Sequence, residues 1–114
     1  MGKEVTYPNR VMNQTSDGYE VIPYPKLDGN EANVTAGTNV AELAIPAGAT
    51  TLFVTPITAD VVLKAGTTGI TIGAGEGYVV PKNVSLPFLL DADATHVGYK
   101  RQADTDGTIS YVFA

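Results

Sequence analysis

Proline and glycine are spaced so closely along this chain that they decide its fold class. The longest stretch free of both is residues 88–97, ten residues, whereas an average helix needs about 11–12. The segments between these breaks are rich in threonine, with 14 residues, and in valine and isoleucine. These β-branched side chains fit a pleated sheet better than a helix. We therefore predict an all-β fold.

Eight short apolar segments, separated by Gly, Pro or Asp, follow one another at intervals of about ten residues. They are residues 40–45, 51–55, 60–65, 70–72, 77–80, 85–90, 95–101 and 107–113. This spacing is typical of a single eight-stranded antiparallel β-sandwich, jelly-roll-like, rather than of a parallel sheet. Pro87 indicates an edge strand or a bulge, and Asp106-Gly107 indicates a hairpin between the last two strands. We expect the apolar final strand to lie inside a sheet or a subunit contact, because a bare apolar edge invites aggregation.

The first third of the chain differs in composition from the rest. Residues 1–38 contain 13 apolar positions scattered among Pro, Asn, Gly and charges, whereas residues 39–114 contain 37. We predict an extended N-terminal arm over residues 1–38 and a β-sandwich domain over residues 39–114. Prolines keep the residues before them extended, so the arm should form a ribbon.

The predicted arm is suited to binding another chain. It carries more apolar side chains than disordered segments usually do, and it holds three of the six tyrosines, a residue type that is enriched at interfaces. We expect the arm to order on a neighbouring subunit; packing over its own domain is the alternative. The predicted partner-binding residues are Tyr7, Val11, Tyr19, Ile22, Tyr24 and Leu27.

Composition argues against several classes of partner. The net charge of −5, from 12 acidic and 7 basic residues, opposes binding to a nucleic-acid backbone. Cysteine is absent, so the chain has no thiolate zinc site and no disulfide. No window approaches the roughly 20 apolar residues of a membrane-spanning helix, and the first residues lack the apolar core of a secretory signal. We therefore expect neither a nucleic-acid partner nor a membrane partner, and synthesis in the cytoplasm.

No motif indicates catalysis or a cofactor. Gly73–Gly77 resembles a phosphate-binding loop, but a strand follows it where a helix is needed, so we interpret it as a hairpin connection. His96 is the only histidine, which excludes a histidine-based metal triad, and no serine lies in a nucleophile-elbow sequence. The acidic segments 91–93 and 104–107 lack the further ligands of a calcium loop, so we favour turns, with weak calcium binding as the alternative. We expect a protein that is not an enzyme and uses no cofactor.

Five segments together suggest a family. They are Glu42–Gly48, Leu52–Thr55, Asp60–Lys64, Gly75–Val80 and Thr108–Phe113. Their layout resembles the small β-sandwich head decoration, or auxiliary capsid, proteins of tailed bacteriophages. This resemblance implies a non-enzymatic structural protein of the virion, made in the host cytoplasm, that decorates and stabilises a capsid through its arm and sheet edges. The implied partners are the major capsid protein or other virion subunits, together with further copies of the chain in a homo-oligomer, a trimer being favoured.

A different class of function remains open at this point. The chain could be a tail- or fibre-associated binding module that recognises a host surface glycan. Glycan sites usually present aromatic platforms, whereas this chain has no tryptophan and half of its tyrosines lie in the predicted arm. The sequence therefore favours capsid decoration over glycan recognition.

Overall fold

The computed structural model describes residues 10–15, 18–23, 27, 29 and 31–114. This part of the chain contains ten strands and no helix, and accordingly no helix long and apolar enough to cross a membrane. The strands are β1 (Arg10–Thr15), β2 (Gly18–Pro23), β3 (Asn33–Ala36), β4 (Ala41–Ala44), β5 (Thr51–Ile57), β6 (Val61–Gly66), β7 (Tyr78–Val80), β8 (Leu86–Leu89), β9 (His96–Arg101) and β10 (Gly107–Phe113). The prediction of an all-β fold is confirmed.

Eight of these strands form a sandwich of two antiparallel sheets. The front sheet has the strand order β3-β10-β5-β8, and the back sheet has the order β4-β9-β6-β7. Apart from β6 and β7, which pair within the back sheet, each strand of the sandwich is followed along the chain by a strand of the opposite sheet. This alternation is the double Greek-key order of a jelly roll. The predicted eight-stranded, jelly-roll-like sandwich is confirmed.

The hydrophobic core lies between the two sheets. It is built from alternate positions of the strands, because successive side chains in a strand point to opposite faces. Leu52, Val54 and Ile109 of the front sheet are at most 2% exposed, and Val61 and Val80 of the back sheet are fully buried. The same alternation leaves one outer face on each sheet, and these two faces differ in what covers them.

The C-terminal strand lies inside the front sheet, as the sequence predicts. Strand β10 pairs with β3 on one side and with β5 on the other. Strand β8, which contains Pro87, pairs with β5 and forms an edge of the same sheet. A proline at an edge removes no hydrogen bond from the ladder, so the predicted edge position of Pro87 is also confirmed.

The predicted hairpin between the last two strands is wrong. Strand β9 belongs to the back sheet and β10 to the front sheet, so residues 102–106 carry the chain across the sandwich. The crossing is held by an ion pair of 2.8 Å between Arg101 Nη1 and Asp106 Oδ1, and Thr58 Oγ1 donates to the Asp106 carbonyl at 3.3 Å. Asp106-Gly107 permits a turn, but local turn chemistry does not select the strand with which the chain pairs next.

One predicted strand is a loop, and one strand lies where none was predicted. Residues 70–72 form part of the connection between β6 and β7, whereas Asn33–Ala36, in the predicted arm, forms the edge strand β3. Val34 and Ala36 pack into the core because they alternate with polar residues in this segment. The sandwich thus includes a strand that precedes the predicted boundary at residue 39.

The remainder of the predicted arm contains two strands that pair with each other. Strands β1 and β2 form an antiparallel pair in which Thr15 lies opposite Gly18. The two residues that connect them, 16 and 17, lie outside the described residues.

Truncation from the N-terminus is expected to show that β3 contributes to the stability of the sandwich and that the residues before Leu27 do not. A chain that starts at Leu27 keeps both sheets, so its melting temperature should match that of the full chain when both are dilute enough to be monomeric. A chain that starts at Thr38 lacks β3, so one edge of β10 loses its partner strand. This loss should lower the free energy of unfolding by about 2 kcal/mol. Thermal melts followed by circular dichroism measure both effects. Equal melting temperatures for the two truncated chains would contradict this account of β3.

Candidate functional site

The outer face of the back sheet is covered by the connection between β6 and β7, residues 67–77, which we call the strap. Three charged side chains of the back sheet bond to strap backbone groups: Glu42 Oε2 accepts the N–H groups of Gly69 and Ile70 at 2.8 Å each, Lys64 Nζ donates to Thr71 O at 2.9 Å, and Lys100 Nζ donates to Ile72 O at 2.8 Å. These bonds satisfy backbone groups that have no strand partner. The glycine-rich segment Gly73–Gly77 lies in the strap and joins two paired strands, so its interpretation as a hairpin connection is confirmed.

Apolar contacts also hold the strap against the back sheet. Ile72 is 6% exposed, and Val62, which points away from the core, is only 3% exposed. Ile70 sits over Gly98, where an added Cβ would lie 2.7 Å from Ile70 Cγ2. Glycine at this position in β9 therefore makes room for the strap. This face of the molecule serves the fold and offers little open surface to a partner.

Glu76 fastens the end of the strap. Its Oε1 atom accepts the N–H of Gly73 at 2.9 Å and lies 3.2 Å from Lys64 Nζ. The Gly73 N–H, followed by the Lys64 ammonium, holds the pKa of Glu76 below its usual value of 4.5. The strap thus has one contact whose strength depends on pH.

The lowered pKa of Glu76 predicts how Glu76→Gln changes stability with pH. A carboxylate whose pKa is lowered by folding stabilises the fold above its unfolded pKa, and this stabilisation is lost as the pH falls through the folded pKa. Glu76→Gln should therefore lower the melting temperature slightly at about pH 7 and by a smaller amount at about pH 3, relative to the unsubstituted chain. Asp104→Asn, which removes a charge from an exposed turn, is the control. An equal loss for Glu76→Gln at both pH values would contradict the assignment.

On the outer face of the front sheet, described residues line a groove of about 540 Å³, which we call the front groove. Strand register arranges its lining in two rows, because residues directly opposite each other in an antiparallel pair lie on the same face. Phe53 lies opposite both Val112 and Pro87, which makes one row apolar. Thr55 lies opposite Ser110, which makes the adjacent row polar.

The polar row carries hydroxyl and amide groups but little charge. Thr55 Oγ1 and Ser85 Oγ share a hydrogen bond of 2.6 Å, and Asn33 lies opposite Ser110. Among the described residues that line the front groove, Glu31 is the one with a formal charge. Such a lining suits an uncharged, partly apolar segment and offers no cation for a phosphate group.

A second exposed apolar region lies where β7 and β8 bring the edges of the two sheets together. Tyr78 is 58% exposed and Leu89 78%, and both border a cavity that Phe88 also lines; we call these two residues the edge patch. The Tyr78 ring packs edge-on against Phe88 of the other sheet, with ring centroids 5.5 Å apart. Each of these strands has a sheet neighbour on one side only. Exposed apolar side chains on a free edge mark a surface that can pair with another chain.

The predicted arm residues are placed only in part. Leu27 is described: it is 76% exposed and lines the front groove. The other predicted residues lie on β1 and β2 or outside the described residues: Val11, Tyr19 and Ile22 are on the two strands, and Tyr7 and Tyr24 are outside. The predicted role of the arm in partner binding therefore stays a prediction.

Sequence reasoning missed the front groove and the edge patch, although one signal for the groove was present. Phe53 and Val112 are apolar, yet the residues on either side of each already face the core. An antiparallel strand with one solvated face normally alternates apolar and polar residues. Apolar residues on both faces of β5 and β10 therefore indicate a second contact surface.

The residues examined for catalysis or metal binding have local structural partners. His96 Nδ1 lies 2.8 Å from Thr95 Oγ1, and the Asp91 carboxylate accepts the Asp93 N–H at 3.2 Å. Across residues 31–114 and the described residues before them, no three His, Cys, Asp or Glu side chains come together in a way that could hold a metal ion. Residues 91–93 thus form a turn that the aspartate itself closes.

Comparison of the chain with family models, with curated proteins and with solved structures gives no significant match. The jelly-roll order occurs in viral capsid, lectin and cupin domains, so the fold alone does not select one function. A function must therefore be inferred from the front groove, the edge patch and the distribution of charge.

Proposed function

We propose that this chain is a non-enzymatic structural protein of a tailed-bacteriophage virion, which decorates and stabilises the capsid through its arm and its free sheet edges. Its partners in this proposal are the major capsid protein or other virion subunits. Further copies of the chain join it in a homo-oligomer, for which a trimer at a local threefold position is favoured.

One observation carries this proposal: the exposed apolar surface is extended rather than enclosed. It spreads over the outer face of the front sheet and over the edge patch, where Leu89 is 78% exposed. A protein repeated many times over a symmetric shell attaches through broad, modest contacts, because each copy adds to the total. A small-molecule enzyme instead buries most of its substrate in a concave site with converging polar groups.

The charge distribution favours a protein partner over a nucleic acid. Residues 27–114 contain four basic and nine acidic residues, a net charge of −5. A domain of this charge is repelled by a phosphate backbone. A net charge of this size favours solubility in a protein that presents apolar edges, which is useful for one that accumulates before particles are complete.

Glycan recognition by a tail- or fibre-associated module is the second candidate, and the polar row of the front groove is the observation that favours it. Thr55, Ser85, Ser110 and Asn33 place hydroxyl and amide groups beside the Phe53 ring. Part of this hydrogen-bonding capacity is already used, since Thr55 and Ser85 bond to each other. For this reason we rank a protein partner first.

Copy number in purified particles tests the proposal. Virions that contain this chain should carry it in a fixed, large ratio to the major capsid protein, measured by quantitative mass spectrometry of purified particles. A few copies per particle, together with binding on a glycan array, would support the tail module instead. Absence from the particles would overturn both assignments.

A matched pair of variants tests the edge patch as an attachment surface. Leu89→Ser removes the most exposed side chain of the patch, whereas Val84→Ser changes another exposed apolar residue, 38% exposed, in the turn before β8. Both changes should leave the melting temperature nearly unchanged, because neither side chain is buried. Co-sedimentation with particles stripped of the protein should weaken for Leu89→Ser and not for Val84→Ser. Equal binding by the two variants would remove the edge patch from the proposal.

A further inference from the structure

We infer that the front groove is the receptor for the N-terminal segment, residues 1–26, of a second copy of this chain. The inference deepens the proposed function, because it names the surface through which copies of the chain bind one another. It rests on the proposed function only for its biological setting. It assigns a docking role to residues that line the groove, among them Phe53, Thr55, Ser110 and Val112, and it predicts self-association in solution in the absence of any capsid.

The first step is that the two outer faces of the sandwich are not equivalent. The back face is occupied by the strap, which buries Ile72 and Val62 and is held by Glu42, Lys64 and Lys100. Among the described residues, no connection of the sandwich covers the front face in this way, and its groove has a volume of about 540 Å³. A further polypeptide segment can therefore dock on the front sheet without displacing part of the fold.

The second step is the match in chemistry between the groove and the segment. The groove offers an apolar row beside a row of hydroxyl and amide groups, with one charged residue among the described ones that line it. Residues 1–26 contain three Tyr, three Val, three Pro and one Ile, and tyrosine combines an apolar ring with a hydroxyl group that needs a hydrogen-bond partner. A strand of six residues, the length of β1 and of β2, spans about 20 Å, and β10 on the groove is one residue longer.

The third step concerns where the segment leaves the sandwich. Leu27 lines the front groove, as do Glu31 and Ala32 just before β3, so residues 1–26 start from the margin of the groove. In the sheets of the described residues, β1 pairs with β2 and neither pairs with a strand of the sandwich. The segment thus leads directly to the groove margin, and no described strand of the segment pairs with the sandwich of its own chain, which suits an exchange of segments between copies.

The fourth step is electrostatic. Residues 1–26 contain three basic and three acidic residues, so the segment has no net charge, whereas residues 27–114 carry −5. Two sandwiches that approach directly repel each other, because their net charges have the same sign. A neutral segment can contact the front sheet of another copy without this repulsion, and it can hold the two charged sandwiches apart.

Cross-linking between differently labelled copies tests the inference, and the absence of cysteine from the natural chain makes each introduced thiol unique. Full-length Tyr24→Cys is mixed with isotopically labelled full-length Ser85→Cys and treated with a short bismaleimide. We expect a covalent heterodimer whose linked peptides contain positions 24 and 85. In the control mixture, Thr68→Cys, on the strap of the back face, takes the place of Ser85→Cys. This mixture should give no covalent heterodimer. A second preparation carries Tyr24→Cys and Ser85→Cys in the same chain. A cross-link that forms only within one chain of this preparation, or no cross-link in either preparation, overturns the inference.

Self-association provides an independent readout with a matched control. Ser110→Arg fills the groove from β10, whereas Thr108→Arg introduces the same side chain on the same face of that strand, outside the groove lining. In sedimentation equilibrium we expect the full chain to associate, Ser110→Arg to raise the dissociation constant by at least about tenfold, and Thr108→Arg to change it by less than about twofold. A monomeric full chain, or equal effects of the two arginines, overturns the inference. If the full chain associates with itself but does not bind to capsids, this result would count against the proposed function alone.

Discussion

Replacing Gly77 by alanine is expected to destabilise the sandwich by about 4 kcal/mol, the largest effect predicted for a single added methyl group. Gly77 has a φ of +82°, a conformation that costs a residue with a Cβ about 1–2 kcal/mol. An added Cβ would also overlap Val62 Cγ1 and would lie 3.0 Å from the Leu63 carbonyl oxygen. The second contact involves backbone of β6, which cannot move without disturbing its pairing with β7.

Gly75→Ala is the matched control for this prediction. Gly75 lies in the same strap with a φ of +80°, but an added Cβ would have no atom within 4 Å. This variant should therefore show the backbone cost alone, about 1–2 kcal/mol. Urea unfolding of both variants measures the difference. Equal losses would mean that steric contact at Gly77 contributes nothing and that the strap relaxes freely.

Leu52→Ala is expected to lower the free energy of unfolding by about 3 kcal/mol, since large-to-small changes in a core cost about 2–5 kcal/mol. Leu52 is 1% exposed and lies between Phe113 of β10 and Phe88 of β8 in the ladder register. It also borders a cavity of about 160 Å³ between the sheets near the edge patch. The substitution enlarges that cavity. The Phe88 and Phe113 rings already pack edge-on against Tyr78 and Tyr111, so they fill the new space only in part.

Leu89→Ala is the control for Leu52→Ala, because the same chemical change is made in the adjacent strand at a side chain that is 78% exposed. It should change the unfolding free energy by less than about 0.5 kcal/mol. The comparison also separates stability from attachment, since Leu89 belongs to the edge patch. A loss for Leu89→Ala close to that of Leu52→Ala would show that the patch is buried in the folded protein in solution.

Several features of the fold could be predicted from the sequence because their causes are local. The spacing of Pro and Gly excluded long helices, and β-branched segments placed seven of the eight strands of the sandwich. Pro87 indicated an edge strand because a residue without an N–H cannot serve a central ladder. The apolar final strand indicated an interior position, and β10 lies at the centre of the front sheet.

Other features depended on contacts between distant residues, which periodicity does not report. Ile70 and Ile72 looked like strand residues, but Glu42, 28 positions before Ile70, bonds to the backbone there and turns the segment into a strap. Asn33–Ala36 looked like part of an arm because four residues carry too little pattern, and only pairing with β10 makes them a strand. The front groove likewise required the register that sets Phe53 opposite Val112.

The sequence by itself therefore determined the all-β class and seven of the eight sandwich strands, because these depend on residues that are neighbours along the chain. Only the tertiary structure decided which sheet each strand joins. Asp106-Gly107 permits a tight turn, yet β10 crosses to the front sheet, where Ile109 is 1% exposed. It also decided which outer face the strap covers, because the strap packs on the back sheet through side chains from three different strands. Burial between sheets is a property of the assembled fold, and no local segment encodes it.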